Sequence, residues 1–259
     1  MLDLESTLTL PGHGFEALPA RWRADSLVCL HRRQFRQARV VGDDDGVVIL
    51  TDGDHGTSIS GYGDGAVAVL TSLLGEGLRP RWLDLPRSIP LPQQACDALR
   101  VTPNPGWDFL VTTTPPPAAD GPVERLDLVG DLDAIRACLG EANPTTDADP
   151  EHPDEVGWWG VREHGRLLGV LGANRRGGAD DDAESWHLHG LGVVPSARQR
   201  GLGARLTATV TRLGLEAGAS WVCLGAWADN RDALRIYHRL GFTTAHRRRS
   251  YRPVPGPLG

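Results

Sequence analysis

Hydrophobic and polar positions along the second half of the chain predict a regular succession of strands and helices. Strands are expected where apolar residues alternate or form short runs, and helices where apolar residues recur every three or four positions. The predicted strands cover 123–128, 157–162, 167–173, 186–193, 221–227 and 242–251. The predicted helices cover 131–139, with Asp131 as N-cap, 203–216 and 231–240. This order predicts a layered α/β or α+β fold.

The first half has a less regular pattern and predicts a smaller mixed α/β region. Strands at 37–41 and 47–50 flank the turn sequence GDDDG, which favours a hairpin. Further strands are predicted at 81–85 and 107–112, with helices at 66–74 and 93–99. Three consecutive prolines within 112–122 exclude helix and favour an extended linker. The predicted domains are therefore 1–111 and 123–259, joined by the linker 112–122.

Composition and charge restrict the class of protein. The formal net charge is -6, which argues against a nucleic-acid-binding protein with a basic face. No stretch approaches the roughly 20 apolar residues that a membrane helix needs. The four cysteines form no CxxC pair, so a zinc site is not expected, and buried free thiols fit a reducing cytoplasm. We expect a cytoplasmic protein that binds no nucleic acid, membrane or metal.

The segment LHGLGVVPSARQRGLGARL, residues 188–206, carries the clearest chemical signal. Glycines at 201 and 203 let the backbone approach a ligand closely as the predicted helix begins. The unpaired N–H groups and the positive end of the helix dipole favour an anion such as a pyrophosphate, and Arg198 and Arg200 add positive charge. A purely structural turn and a dinucleotide fingerprint are the alternatives. The fingerprint expects a third glycine where this chain has Leu206.

A second segment, DNRDALRIYHRLGF at 229–242, predicts a helix with one functional face. Asn230, Ala233 and Tyr237 are spaced by three and four positions, so they share that face. A small residue at 233 would let a ligand pack there, with Tyr237 on the same side as the anion site. The alternative is an amphipathic helix whose tyrosine lies at the edge of the core.

Taken together, the two segments resemble the GNAT superfamily, the Gcn5-related N-acetyltransferases. The family pattern R/Q-x-x-G-x-G/A is matched by RQRGLG at 198–203. The pattern N-x-x-A-x-x-x-Y-x-x-x-G-F is matched by Asn230, Ala233, Tyr237, Gly241 and Phe242. The resemblance covers about 123–251. It implies the GNAT fold, a mixed central sheet flanked by helices, preceded here by a diverged N-terminal α/β domain without a cofactor motif.

The resemblance further implies an acyl-CoA-dependent N-acyltransferase with acetyl-CoA as donor. Backbone N–H groups near Gly201 would hold the pyrophosphate, the end of strand 186–193 would pair with the pantetheine arm, and Asn230 would lie along that arm. Tyr237 would protonate the departing thiolate as general acid. The implied donor-binding residues are Leu191, Gly192, Val193, Arg198, Gln199, Arg200, Gly201, Leu202, Gly203, Ala204, Asn230 and Ala233.

Acyl transfer to an amine also needs a base, because an alkylammonium with a pKa of about 10 cannot attack before it loses a proton. Strand alternation puts His187 and His189 on one face, and both are candidates, with Glu184 behind them. Either histidine could instead be a structural residue of the strand. Three aspartates at 180–182 are expected near the acceptor, where they could attract a cationic amine or simply form a solvated loop.

Three functions agree with these features. The leading one is acetyl transfer to a primary amine of a small molecule, and the second is a protein acetyltransferase acting on lysine or an N-terminal amine. The third is a non-catalytic acyl-CoA-binding sensor, against which Tyr237 and Asn230 argue, since a sensor needs no proton donor. The N-terminal domain could wall off the substrate cleft or support a homodimer.

Overall fold

The computed structural model describes residues 12–53 and 56–254, and the chain divides into two compact units. The first comprises 1–108, 227–229 and 246–259, and the second comprises 109–226 and 230–245. The segment from residue 246 onward groups with the first unit. The sequence instead predicted a division into 1–111, 112–122 and 123–259. As a statement about separate domains, that division stays a prediction.

The first unit is a sheet with short helices. Its strands are β1 (Gly12–His13), β2 (Arg39–Gly42), β3 (Gly46–Thr51), β4 (Thr57–Gly63), β5 (Pro80–Pro86) and the first part of β6 (Val101–Thr112). Its helices are α1 (Ala20–Arg23), α2 (Ser26–Leu30), α3 (Ala66–Ser72) and α4 (Gln93–Leu99). Antiparallel pairing of β2 with β3 confirms the predicted hairpin.

Strand β4 was not predicted, although it pairs antiparallel with β3 and parallel with β5. Its sequence, TSISGYG, contains serines and glycines, which weaken the strand signal. Its Ile59 is nevertheless fully buried, in a core shared with Val48, Leu70 and Leu83. Tertiary packing, not local propensity, thus makes this segment a strand.

The second unit has a mixed sheet covered by three helices. Its strands are β7 (Glu124–Arg125), β8 (Glu155–Glu163), β9 (Arg166–Gly177), β10 (Glu184–Val193), most of β11 (Val222–Trp227) and the start of β12 (Thr243–Pro253). Its helices are α5 (Leu132–Ala142), α6 (Leu202–Glu216) and α7 (Arg231–Arg239). Pairing runs β7-β8-β9-β10-β11, antiparallel except between β10 and β11. This confirms the predicted element order and the mixed sheet flanked by helices.

Helix α6 is positioned by an apolar stripe with helical spacing. Leu202, Leu206 and Val210 recur every four residues and are buried in the core of this unit, together with Trp158 and Val222. Burial of this stripe fixes where the helix begins, and the loop before it is therefore held at the end of β10.

Asp131 occupies the N-cap position of helix α5, as predicted, but its side chain does not cap the helix. The Asp131 side chain makes no capping hydrogen bond. Its carboxylate accepts hydrogen bonds from Arg162 at 2.8 Å and from the Asp127 N–H at 3.0 Å. A charge-assisted bond to a guanidinium is stronger than a bond to a neutral backbone N–H, which explains why the carboxylate turns to Arg162 instead of capping the helix.

All four cysteines are buried and free, as their apolar contexts predicted.

Among the described residues, no helix is both long enough and apolar enough to cross a membrane.

Candidate active site

Strand β10 stops pairing with β11 halfway along its length. The parallel register joins Trp186, His187 and Leu188 to Val222, Cys223 and Leu224, while β10 itself continues to Val193. The predicted pantetheine-binding residues at 191–193 thus follow the paired part of the strand. They lie where an extended ligand such as a pantetheine arm could form hydrogen bonds with the unpaired edge of β10.

A bulge lies at the same point on the other side of β10. The register with β9 shifts between His189 and Gly192, and Gly190 has a φ of 59°. A side chain at 190 would be strained, and its Cβ would approach the Trp158 ring to 2.5 Å. Bulges of this kind re-aim the following residues, here the end of β10.

The loop after β10 ends in an open helix terminus. Gly201 is the N-cap of α6 with a φ of 76°, and no side chain caps the helix. Nothing lies within 4 Å of the position that a Cβ on Gly201 would occupy. The first-turn N–H groups of Leu202, Gly203 and Ala204 therefore form an uncapped terminus that fits an anion such as a pyrophosphate.

The two arginines of this loop have other partners than the predicted anion. Arg198 donates to the carbonyl oxygens of Val193 at 3.2 Å and Ala142 at 3.1 Å. Arg200 forms an exposed ion pair with Glu163. Both guanidinium groups hold the loop to its neighbours, which leaves the backbone N–H groups as the groups that could bind an anion.

Helix α7 carries the predicted Asn230, Ala233 and Tyr237. Asn230 is its N-cap, with the side-chain oxygen accepting from the Ala233 N–H at 3.2 Å. Tyr237 is 8% exposed, and its ring packs against Phe242 with centroids 6.1 Å apart. Burial raises the pKa of Tyr237 to about 12. Its hydroxyl therefore stays protonated at neutral pH, as a proton donor must.

A cavity of about 250 Å³ lies against β8, β9 and β10. Both predicted histidines line it, with their rings nearly parallel and 6.3 Å apart. The full lining is Thr146, Asp147, Ala148, Asp149, His152, Glu155, Asn174, Arg176, His187, His189 and Gly190. The register places Glu155, Asn174 and His187 in one row across three neighbouring strands. Convergent polar and titratable groups in a cavity are typical of a functional site.

Glu184 does not join the two histidines. It lies on the other face of β10 by alternation, and its carboxylate pairs with Arg175 at 2.8 Å. The acidic loop turns back on itself, since Asp180 accepts from the N–H groups of Asp182 and Ala183. The carboxylates that line the cavity come from other positions: Asp147, Asp149 and Glu155.

Glu155 is the site residue that sequence reasoning missed. Its Oε1 lies 2.8 Å from Nε2 of His189, and its side chain is only 4% exposed. Burial raises the pKa of Glu155 and outweighs the opposite effect of His189. The predicted strand began at residue 157, whereas β8 begins two residues earlier, at Glu155. The register of β8 with β9 places Glu155 opposite Asn174.

Comparison with known proteins finds a family match for most of the second unit. The Acetyltransferase (GNAT) family matches residues 132–242. The N-alpha-acetyltransferase RimI of Mycobacterium tuberculosis is 33% identical over 97 residues, which are 38% of this chain and 58% of that protein. The chain thus spans little more than half the length of that relative.

Solved structures share the fold at low identity. A GCN5-related N-acetyltransferase from Kribbella flavida has a TM-score of 0.56 and 21% identity, covering 93% of this chain and 98% of its own. One from Sphaerobacter thermophilus has a TM-score of 0.54 and 18% identity, covering 83% of this chain and 79% of its own. Residues 132–242, which contain both predicted motifs, thus match the GNAT family.

Proposed function

We propose that the protein is an N-acyltransferase that moves an acetyl group from acetyl-CoA to a primary amine of a small molecule. One observation carries the proposal: a single strand, β10, runs from the cavity lined by both histidines toward the uncapped start of α6. His187 and His189 line the cavity, and residues 191–193 lead from the bulge into the turn at Gly201. Donor and acceptor would therefore meet beside the bulge.

The donor site would use mainly backbone groups. N–H groups of Leu202, Gly203 and Ala204 would hold the pyrophosphate, and the edge at 191–193 would pair with the pantetheine arm. Asn230 and Ala233 would flank that arm at the start of α7. Acetyl-CoA supplies the acyl group already activated as a thioester.

Tyr237 would stabilise the thiolate that leaves. Its pKa of about 12 lies above the value of about 8.5 for a free thiol, so the hydroxyl keeps its proton until the C–S bond breaks. A hydrogen bond from the hydroxyl to the developing thiolate would then favour the transition state over the ground state.

The cavity favours a small cationic acceptor. Carboxylates at Asp147, Asp149 and Glu155 line it against one arginine, Arg176, which is paired with Asp154 at 3.0 Å. A negative lining raises the local concentration of ammonium ions. The volume of about 250 Å³ suits a compact amine.

A protein N-terminal amine is the second candidate acceptor. It is favoured by the 33% identity to RimI, which is an N-alpha-acetyltransferase by name. That acceptor is also a primary amine, so the same donor site and the same need for a base apply.

The test begins with calorimetry of acetyl-CoA, free CoA and NADH binding, followed by thiol release with small amines and with peptides bearing free N-termini. We expect both CoA species but not NADH to bind, and higher kcat/KM for small amines. Turnover of peptides alone would favour the second candidate. Binding without turnover of any amine would indicate a sensor, and no CoA binding would overturn the acyltransferase proposal.

A further inference from the structure

The end of helix α5 packs directly against the end of β10. A Cβ on Gly192 would come within 3.0 Å of the Ala142 Cβ and 3.7 Å of Cδ2 of Leu139. Gly192 is buried, and its missing side chain lets the helix approach the strand closely. The last residues of α5 therefore lie beside the stretch of β10 that the proposed function gives to the pantetheine arm.

Arg198 joins the same two elements from the loop that precedes α6. Its Nε donates to the Val193 carbonyl at 3.2 Å, and its Nη2 donates to the Ala142 carbonyl at 3.1 Å. The last carbonyls of a helix lack intrahelical partners and lie at the negative end of its dipole. The last turn of α5 reads LGEA and contains no basic side chain. The Arg198 guanidinium supplies a positive charge there from outside the helix.

Helix α5 leads into a loop that forms one wall of the cavity. Residues 143–154, here called the cavity loop, connect α5 to β8. The loop supplies five of the residues that line the cavity: Thr146, Asp147, Ala148, Asp149 and His152. It also reaches the bulge of β10, since a Cβ on Gly190 would come within 3.0 Å of the Ala148 Cβ. The position of the loop therefore determines the shape of the cavity.

The cavity loop is tied to the sheet at both ends. At its far end, the Asp154 carboxylate accepts from Arg176 of β9 at 3.0 Å. At its near end, the Thr146 N–H donates to the Asn143 carbonyl at 3.0 Å in a turn that directly follows α5. Arg198 holds this near end to β10 through the last carbonyl of the helix.

We infer that Arg198 is a positioning residue for the acceptor and not a ligand of the donor pyrophosphate. Its hydrogen bonds hold the near end of the cavity loop at β10, and so fix the loop side chains that would receive the amine. The inference rests on the proposed function, which makes the cavity the acceptor site and the start of α6 the donor site. It replaces the role that the family resemblance implies for Arg198.

Steady-state kinetics with an accepted amine tests this role. Arg198→Met keeps an apolar stem and removes both hydrogen-bond donors. We expect the amine KM to rise about tenfold, because a displaced wall binds the acceptor less well. The kcat and the acetyl-CoA Kd should stay within about twofold of the wild-type values. Arg198→Lys, which keeps the charge and can donate to one carbonyl, should recover part of the loss in amine KM.

Arg200→Met is the matched control, since it removes the same charge from the same loop. Arg200 forms an exposed ion pair with Glu163 and not with α5. A general effect of loop charge on acetyl-CoA affinity should therefore appear in both variants, whereas the amine KM should rise only in Arg198→Met. A larger rise in the acetyl-CoA Kd than in the amine KM of Arg198→Met would return Arg198 to the donor site. An unchanged amine KM would also overturn the inference.

Hydrogen exchange separates this inference from the proposed function, because it needs neither donor nor acceptor. The N–H groups of Asn143, Thr146 and Ala148 are all hydrogen-bonded, at 2.7, 3.0 and 3.2 Å, so their protection can be followed in the ligand-free protein. We expect them to exchange about fivefold faster in Arg198→Met and at the wild-type rate in Arg200→Met. Unchanged exchange in Arg198→Met contradicts the inference even if an amine is turned over. Faster exchange in a protein that binds no acetyl-CoA would overturn the proposed function but not the hold of Arg198 on the loop.

Discussion

Each compact unit contains a buried histidine–carboxylate pair, and the two pairs have almost the same geometry. In the first unit, Nε2 of His246 lies 2.9 Å from Asp25, with both side chains less than a fifth exposed. In the second, Nε2 of His189 lies 2.8 Å from Glu155. Distance alone would assign them the same role.

Their surroundings differ in the number of hydrogen bonds that the carboxylate receives. Burial raises the pKa of Asp25, but His246 and the N–H groups of Leu27 and Val28 outweigh it and leave the pKa lowered. For Glu155, burial outweighs His189 and leaves the pKa raised. Asp25 is both an N-cap and an ion-pair partner, whereas Glu155 keeps a buried oxygen that has no hydrogen-bond partner among the described residues.

A carboxylate whose oxygens are hydrogen-bonded stabilises the fold, whereas a buried carboxylate oxygen without a partner costs stability. The comparison therefore predicts that polar substitutions in the first unit lower stability, whereas those around the second pair lower activity.

The largest stability effect is expected at Arg248 in the first unit. Arg248 is 1% exposed and donates from Nε to Asp84 at 2.6 Å, with its guanidinium over the Tyr62 ring at 4.8 Å. Arg248→Leu leaves the buried Asp84 without its cationic partner, so urea unfolding should show a loss of about 3–5 kcal/mol. Replacing both residues by apolar ones should recover much of the loss. A loss below about 1 kcal/mol in the single variant would contradict the stabilising role.

The largest activity effect is expected at Tyr237 in the second unit. Tyr237→Phe removes only the hydroxyl and keeps the packing on Phe242. We expect kcat to fall about 100-fold or more, while acetyl-CoA affinity and urea midpoint stay near the wild-type values. Unchanged turnover would remove Tyr237 from the mechanism. A large loss of stability would make it a structural residue like Arg248.

Features that depend on a single strand or helix were predicted well from the sequence. Alternation along β10 was enough to put His187 and His189 on one face, and four-residue spacing located α6 to within one residue. Both patterns are properties of one element and need no knowledge of its neighbours.

Features that depend on pairing between distant segments were missed. Glu155 meets His189 only through the registers of β8 with β9 and of β9 with β10. The hydrogen bond from Arg198 to the Ala142 carbonyl joins residues 56 positions apart, and the motif around Arg198 gives no sign of it. Register and long-range hydrogen bonds are set by tertiary packing, which a motif does not encode.

A smaller stability effect, with opposite pH dependence in the two units, is expected for the carboxylate pairs. The lowered pKa of Asp25 means that its stabilisation is present above its unfolded value of 3.8 and is lost as pH falls through the lower folded value. Asp25→Ala removes the cap and the ion pair and should cost about 2 kcal/mol at pH 7. Asp25→Asn keeps a capping oxygen and should cost less.

Glu155→Gln should behave in the opposite way. A folded pKa raised above 4.5 means that the folded state binds the proton more tightly, so ionisation of Glu155 destabilises the fold as pH rises through that value. We expect this variant to melt at or above the wild-type temperature at pH 7, whereas Asp25→Ala melts lower. If both variants lost equal stability, the distinction between the two pairs would be wrong.

The smallest effect compares two glycines with the same backbone conformation in different units. Gly201 and Gly77 have φ values of 76° and 72°, and a Cβ on either would meet nothing within 4 Å. Alanine at either position costs about 1 kcal/mol of backbone strain, so both variants should melt a few degrees lower. Only Gly201→Ala should also weaken acetyl-CoA binding, about fivefold by calorimetry, because the proposed donor site uses the backbone at the start of α6. Equal affinity in both variants would mean that this helix terminus does not hold the donor, and weakening in both would point to a general loss of stability.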